Sequence, residues 1–167
     1  LESKGKAKWN PNAKTGAELY DLRMNYYAYR SSQMCTMIKT VFGAEANKVK
    51  CVYAGQAAVA WWLDNGLKCP FAAAELGKEC GRFHDVIAIA PYFGGEIGGD
   101  AYKTKVATWL AQPDGGLASL FNELNTTSLA ESVKWIQEDK KVADAWGLPL
   151  VAYEGGQHLV DYSQSNT

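Results

Sequence analysis

Three short segments of this chain end in side chains able to do chemistry. Residues 148–152 hold an apolar run (Leu148, Leu150, Val151, Ala152) that leads into Tyr153, Glu154, Gly155, Gly156, Gln157 and His158. Residues 85–90 hold a second run, Asp-Val-Ile-Ala-Ile-Ala, which leads through Pro91 into Tyr92, Phe93, Gly94, Gly95 and Glu96. Residues 48–54 hold a third, which ends in Gly55 and Gln56. A carboxylate, a phenol and an amide are groups that move protons, attack electrophilic carbon and hold polar ligands. Two glycines after the carboxylate allow a sharp turn and let a ligand approach the backbone closely. Taken alone, Glu154-Gly155-Gly156 reads more simply as a strand-end acid that caps a turn. The same design in two further segments favours a site.

These residues meet only if the elements around them bring them to one edge. Each run is short, apolar or β-branched, and followed by glycine or proline, as a buried strand is. The stretches between them read as helices. Apolar residues at helical spacing from Leu19 to Val41 predict a helix over 17–42, with Gly43 as its stop. Further helices are predicted over 57–66, 102–111, 117–125 and 128–146, the last with Ser128 as N-cap and Glu131 completing a capping box. Residues 70–82 predict a connection in the form of a short helix that carries the two later cysteines. Residues 1–16, polar and broken by Pro11 and Gly16, read as a loop or arm, and 160–167 as a frayed tail. Strands joined by long crossovers pair in parallel, which gathers their carboxyl ends, and with them Gln56, Tyr92 and Glu154, on one side. The predicted class is α/β, parallel strands alternating with helices in a single domain.

With 167 residues, 47% of them hydrophobic and 21% charged, the chain can bury one sizeable core. Its 17 basic and 18 acidic residues make no field that gathers nucleic acid or an anionic membrane. No apolar run approaches the roughly 20 residues that span a bilayer. Neither partner is expected, and the chain reads as a soluble protein, mature or truncated. Cys35, Cys51, Cys69 and Cys80 lack paired spacing, and the two histidines, His84 and His158, are far apart, so no metal or other cofactor is expected. His84 reads as a solvated loop residue. Cys69 and Cys80 bracket an Ala-rich segment and can close a loop, whereas Cys35 and Cys51 lie in apolar settings where free thiols are the commoner outcome. The cysteines and the Asn125-Thr126-Thr127 sequon lean towards a secreted protein. No Gly-x-Ser-x-Gly elbow is present, and the glycines around Glu96 match neither a phosphate loop nor a dinucleotide fingerprint.

The strand ends also carry a resemblance. Val52-Tyr-Ala-Gly-Gln56, Ile89-Ala-Pro-Tyr-Phe-Gly-Gly95 and Val151-Ala-Tyr-Glu-Gly-Gly-Gln-His158 are similar to the fifth, sixth and seventh strands of the clan A glycoside hydrolases, in particular cellulase-like bacterial proteins. The similarity runs from about Tyr26 to His158. It implies a partial (β/α)8 barrel of the TIM type and a polysaccharide or oligosaccharide substrate with β-linkages. It further implies Glu154 as catalytic nucleophile, Tyr92 as the phenol that orients it, and Gln56, Gln157 and His158 as lining of the sugar site. Tyr153, Phe93 and Glu96 would flank that site, and Trp61 or Trp62 would stack on a pyranose. For at least one of the two tryptophans, packing against the sheet is the better reading, because adjacent helical residues point in different directions.

The departures from the family pattern are specific. A retaining glycosidase uses a second carboxyl group about 5 Å from the nucleophile. In clan A it belongs to an Asn-Glu pair at the end of strand four, and no such pair stands at the right place here. Trp9-Asn10 matches what often follows the pair, but Lys6-Ala7-Lys8 precedes it. Either the pair has become Lys6-Ala7 and the acid is lost, or the match is coincidence and the chain begins after the pair. Glu2 and Glu96 are the nearest remaining carboxylates, and Glu123, inside a helical segment, is a poor candidate. Eight strand–helix units need about 250 residues. A part of a barrel would leave open edges, to be covered by the remaining half of a longer protein, or by a second copy or another subunit, unless the chain closes as a small flavodoxin-like sheet with helices on both faces. Three functions follow: a hydrolase, a carbohydrate-binding module without turnover, and an assembly module.

Overall fold

Helix α2 (Gly16–Phe42) is the longest element, and both its ends are specified locally. The Thr15 hydroxyl accepts from the Glu18 N–H at 3.3 Å and Glu18 accepts from the Thr15 N–H at 3.1 Å, a reciprocal capping box. At the other end the Gly43 N–H returns to the carbonyls of Lys39 and Thr40. The buried residues Leu22, Asn25, Ala28, Tyr29, Ser32 and Cys35 recur every three or four positions, which gives α2 one inward face. The computed structural model describes residues 1–160, and 66% of them are helical. The tail expected to fray lies, from residue 161 on, outside the described residues.

Three strands share one parallel sheet in the order β1 (Val52–Ala54), β2 (Val86–Ile89), β4 (Leu150–Ala152). Val52 stands opposite Val86, and Ile87 opposite Leu150. Tyr53 and Ile87 enter a core with Ala28 and Tyr29 of α2, Leu63 and Leu67 of α3 (Ala60–Lys68), and Ala143 of α7 (Leu129–Trp146). Beyond the strand ends the chain pairs once more. β3 (Tyr92–Phe93) and β5 (Gly156–Gln157) form a separate two-stranded parallel sheet, with Tyr92 opposite Gly156.

This is not a partial (β/α)8 barrel, and the expected α/β class gives way to a mostly helical chain whose five short strands form two small parallel sheets among the described residues. The expectation of a barrel fails because the apolar runs are short and give strands of three, four and three residues, while the connections fold into a helical majority. Pro91, with no N–H to donate, ends the central ladder. β1 and β4 are edge strands, and Val52 and Val151, which alternate with the core-facing positions, are 47% and 46% exposed.

Four further expectations are corrected. Residues 2–9 form a helix, α1 (Glu2–Trp9), rather than a loop or arm. It is held by the Glu2–Arg23 ion pair at 2.5 Å, by Lys8 on Glu75 at 2.7 Å, and by the Trp9 ring against Tyr26, Tyr29 and Phe71. His84 is a core residue rather than a solvated one. Its Nδ1–H donates to the Cys80 carbonyl at 2.9 Å and its Nε2 accepts from the Ser31 hydroxyl at 2.7 Å. Burial lowers its pKa and keeps it neutral. The Ser128–Glu131 capping box does not form, because α6 (Leu117–Glu123) continues through a π-turn (Leu124–Ser128) into α7 and leaves Ser128 helical. The short helix expected within 70–82 spans only α4 (Pro70–Leu76), flanked by the Cys69–Cys80 disulfide; Cys35 and Cys51 are buried free thiols. No helix among the described residues is long and apolar enough to cross a membrane.

Candidate functional site

Parallel register brings Glu154 and Tyr92 together. β2 and β4 stay paired as far as Ile89 opposite Ala152, and the Tyr153 N–H donates to the Ile89 carbonyl at 3.1 Å. Pro91 then interrupts the ladder on one chain, and Gly155 permits close approach on the other. A Cβ on Gly155 would lie 3.1 Å from the Pro91 carbonyl oxygen and 3.3 Å from its ring. The backbones meet again where the His158 N–H donates to the Phe93 carbonyl at 2.8 Å. In the bend between these contacts the Tyr92 hydroxyl donates to Glu154 Oε1 at 2.5 Å. The His158 ring packs on Tyr92, with centroids 5.0 Å apart. The hydrogen bond to Glu154, with burial adding to it, holds the Tyr92 hydroxyl above the usual phenol range, so Tyr92 acts as a fixed donor.

Tyr92 lines a cleft of about 860 Å³, within the size range of small-molecule sites. Part of its wall is strand ends: Gln56 beyond β1, Tyr92 and Phe93 of β3, and Tyr153 and His158 around β5. The rest is helical. Glu96 comes from a 3-10 turn (Gly95–Gly98), Tyr20 and Met24 from α2, and Ser128, Glu131 and Trp135 from the π-turn and the first turns of α7. The Ser128 hydroxyl donates to Glu96 and holds that carboxylate in place.

Of the residues expected at a sugar site, Gln56, Phe93, Glu96, Tyr153 and His158 line this cleft with Tyr92, and Glu154 joins them through its hydrogen bond. Three others do not line it. Gln157 accepts from the Leu159 N–H at 2.8 Å, which commits its side-chain oxygen to a turn. Trp62 stacks on Tyr20 with centroids 3.9 Å apart, and Trp61 packs edge-on against Trp62. Tyr20 takes the place in the cleft that a tryptophan was expected to hold. Glu2 is paired with Arg23, and Lys6-Ala7 lies inside α1 rather than at a strand end. Glu123 is buried and tied to Lys105 and Tyr102 at 2.6 Å each; the Lys105 ammonium holds its carboxyl below the usual range, which makes it a structural tie between α5 (Lys103–Leu110) and α6.

Sequence reasoning missed Tyr20, Ser128, Glu131 and Trp135. The signal for Ser128 and Trp135 was an inward stripe that runs from the π-turn into α7, where Ser128, Ser132, Trp135 and Asp139 recur every three or four residues; Glu131, an exposed position, lies outside it. Asp139 is fully buried, and neither carboxylate oxygen has a hydrogen-bond partner among the described residues. Burial pushes its carboxyl up to about 7. Among the described residues no group of three or more His, Cys, Asp or Glu side chains is placed to hold a metal ion. Compared with protein-family models, curated proteins and solved structures, the chain matches none, so the cleft is interpreted from its own residues.

Proposed function

We propose that the cleft binds a β-linked glycan and that Glu154 cleaves it as the nucleophile of a retaining glycosidase. The observation that carries the reading is the Tyr92–Glu154 hydrogen bond at 2.5 Å, on the edge of a cleft that mixes aromatic and polar side chains. In this reading Glu154 attacks the anomeric carbon and forms a glycosyl-enzyme, which water then hydrolyses. Tyr92 fixes the carboxylate for attack. Gln56 and His158 meet sugar hydroxyls, and Tyr20, Tyr153 and Trp135 offer ring faces to the pyranose. The leaving group needs a proton, and Glu96, positioned by Ser128, is the carboxylate assigned to give it and later to activate water.

A second reading, glycan binding without turnover, is favoured by one observation: the carboxylate left for the acid role sits on a 3-10 turn and is already engaged by Ser128. Release of reducing ends from soluble β-glucans and aryl β-glycosides separates the two. The hydrolase reading expects turnover that Glu154→Gln abolishes, by roughly 10⁴-fold or more, with binding retained. Turnover that survives Glu154→Gln removes Glu154 from the role. Binding by the unmodified chain with no turnover selects the second reading.

A further inference from the structure

The two cysteines outside the disulfide are neighbours where α2 meets the start of β1, and we infer that Cys35 and Cys51 form a second cross-link through exchange with a small disulfide of the glutathione class. Both side chains are buried, and the Cys51 thiol lies near enough to Cys35 to raise its pKa. The surrounding contacts keep them there. Lys39, one turn after Cys35 on α2, pairs with Asp85 at 2.7 Å, and the same carboxylate oxygen accepts the Cys51 N–H at 2.8 Å. The N–H groups of Asp85 and Val86 donate back to the Cys51 carbonyl at 2.8 and 3.2 Å. The backbone at Cys51 is thereby clamped to the turn of α2 that follows Cys35.

Access is unequal. Cys35 lines a surface hollow of about 410 Å³ together with Lys39, Lys78, Arg82 and Phe83, whereas Cys51 does not line it. A hollow with three cationic side chains suits a disulfide that carries carboxylates. The exchange starts at Cys35, which gives up its proton and attacks one sulfur of the small disulfide. That sulfur–sulfur bond breaks, one small thiol departs with a proton, and a mixed disulfide remains on Cys35. Cys51 then gives up its proton and attacks the Cys35 sulfur, and the second small thiol departs with a proton. Two protein thiols are oxidised and the small disulfide is reduced to two thiols. Burial, then the contact with Cys51, pushes the Cys35 thiol up to about 12, so the first step is slow at neutral pH and quickens as pH rises.

The test counts thiols by alkylation under denaturing conditions and maps them by mass spectrometry. In one arm the folded protein is held with oxidised glutathione at pH about 8.5, a value near the pKa of an ordinary thiol. In the other the reduced, unfolded chain refolds in a glutathione redox buffer, where burial does not limit access. The expected result is a fall to no alkylatable thiol, from two per chain in the first arm and from four in the second, with a peptide linking Cys35 to Cys51. Cys51→Ser is expected to stop at one glutathione on Cys35. Two thiols that persist through refolding, with Cys69–Cys80 formed, overturn the cross-link. A folded Cys51→Ser chain that gains no glutathione overturns entry through the hollow.

Discussion

On the strand side of the cleft, Tyr92, Tyr153 and His158 are placed by backbone pairing; on the helical side, Glu96, Ser128 and Trp135 are placed by a 3-10 turn and by a helix that runs through a π-turn. On the strand side the Tyr92 phenol donates to the Glu154 carboxylate, while the Tyr53 hydroxyl of β1, behind the sheet in the core, is buried with no partner among the described residues. On the helical side Ser128 and Glu96 satisfy each other, yet one helical turn beyond Trp135 lies Asp139, buried, with neither oxygen partnered among the described residues. The contrast teaches that register alone delivers the strand-end groups, whereas the helical groups depend on continuity between elements and come with a destabilising carboxyl. Local irregularity of this kind, a π-turn and an unpaired buried acid, concentrates where function competes with stability.

The largest expected effect separates the two sides by stability. Unfolded, Asp139 loses its proton near pH 4; folded, it keeps it to about 7. Between those values the folded state binds more protons, so stability falls as pH rises from about 4 through about 7, by of order 3–4 kcal/mol at about 1.4 kcal/mol per unit. Asp139→Asn cannot ionise. Its urea midpoint is expected to lose this fall between pH 5 and pH 8, and to exceed that of the unmodified chain at the upper end. An unchanged pH profile would remove Asp139 from the account of the helical side.

Next comes the junction between the sides. Gly94, at φ of 86°, opens the turn that carries Glu96, and a Cβ there would lie 2.7 Å from Leu124 Cδ2 of the π-turn. Gly94→Ala is expected to cost about 2–3 kcal/mol in chemical denaturation. Gly16→Ala, where nothing lies within 4 Å, is the control and is expected to stay within about 0.5 kcal/mol. On the strand side, Tyr92→Phe is expected to lower turnover roughly ten- to hundredfold with glycan binding and the thermal midpoint little changed, since it removes only the group that positions Glu154. The smallest effect is on the helical side. Ser128→Ala frees Glu96 and is expected to lower turnover roughly two- to tenfold, read from initial rates. A larger loss for Ser128→Ala than for Tyr92→Phe would reverse the ranking of the two sides.

Legibility in the sequence follows the same division. Helix α2 and the parallel pairing of the three apolar runs rest on patterns local to each segment, so Gln56, Tyr92 and Glu154 could be placed on one edge by topology alone. The barrel did not follow, because three- and four-residue strands fix no architecture beyond their own pairing. Ser128 and Glu131 have the residue types of a capping box, but a box needs a helix to start, and whether α6 stops before α7 is decided by packing that no four-residue pattern carries. The capping box that does form, Thr15 with Glu18, has the same residue pattern at a true helix start. The resemblance implied that Trp61 or Trp62 stacks on a sugar, with packing the better reading for at least one; the packing of both behind Tyr20 is a tertiary fact. His84 gave no sign of burial, since its partners Ser31 and the Cys80 carbonyl reach it only in the folded chain.

Under the proposed function, a Glu154 carboxylate oxygen forms the glycosyl-enzyme bond. Incubation with an activated β-glycoside bearing fluorine at carbon two, which slows breakdown of that bond, followed by peptide mapping, tests it most directly. One sugar adduct per chain is expected, on Glu154, absent from Glu154→Gln and formed more slowly in Tyr92→Phe. An adduct on Glu96, Glu131 or any other side chain, or no adduct at all, would contradict it.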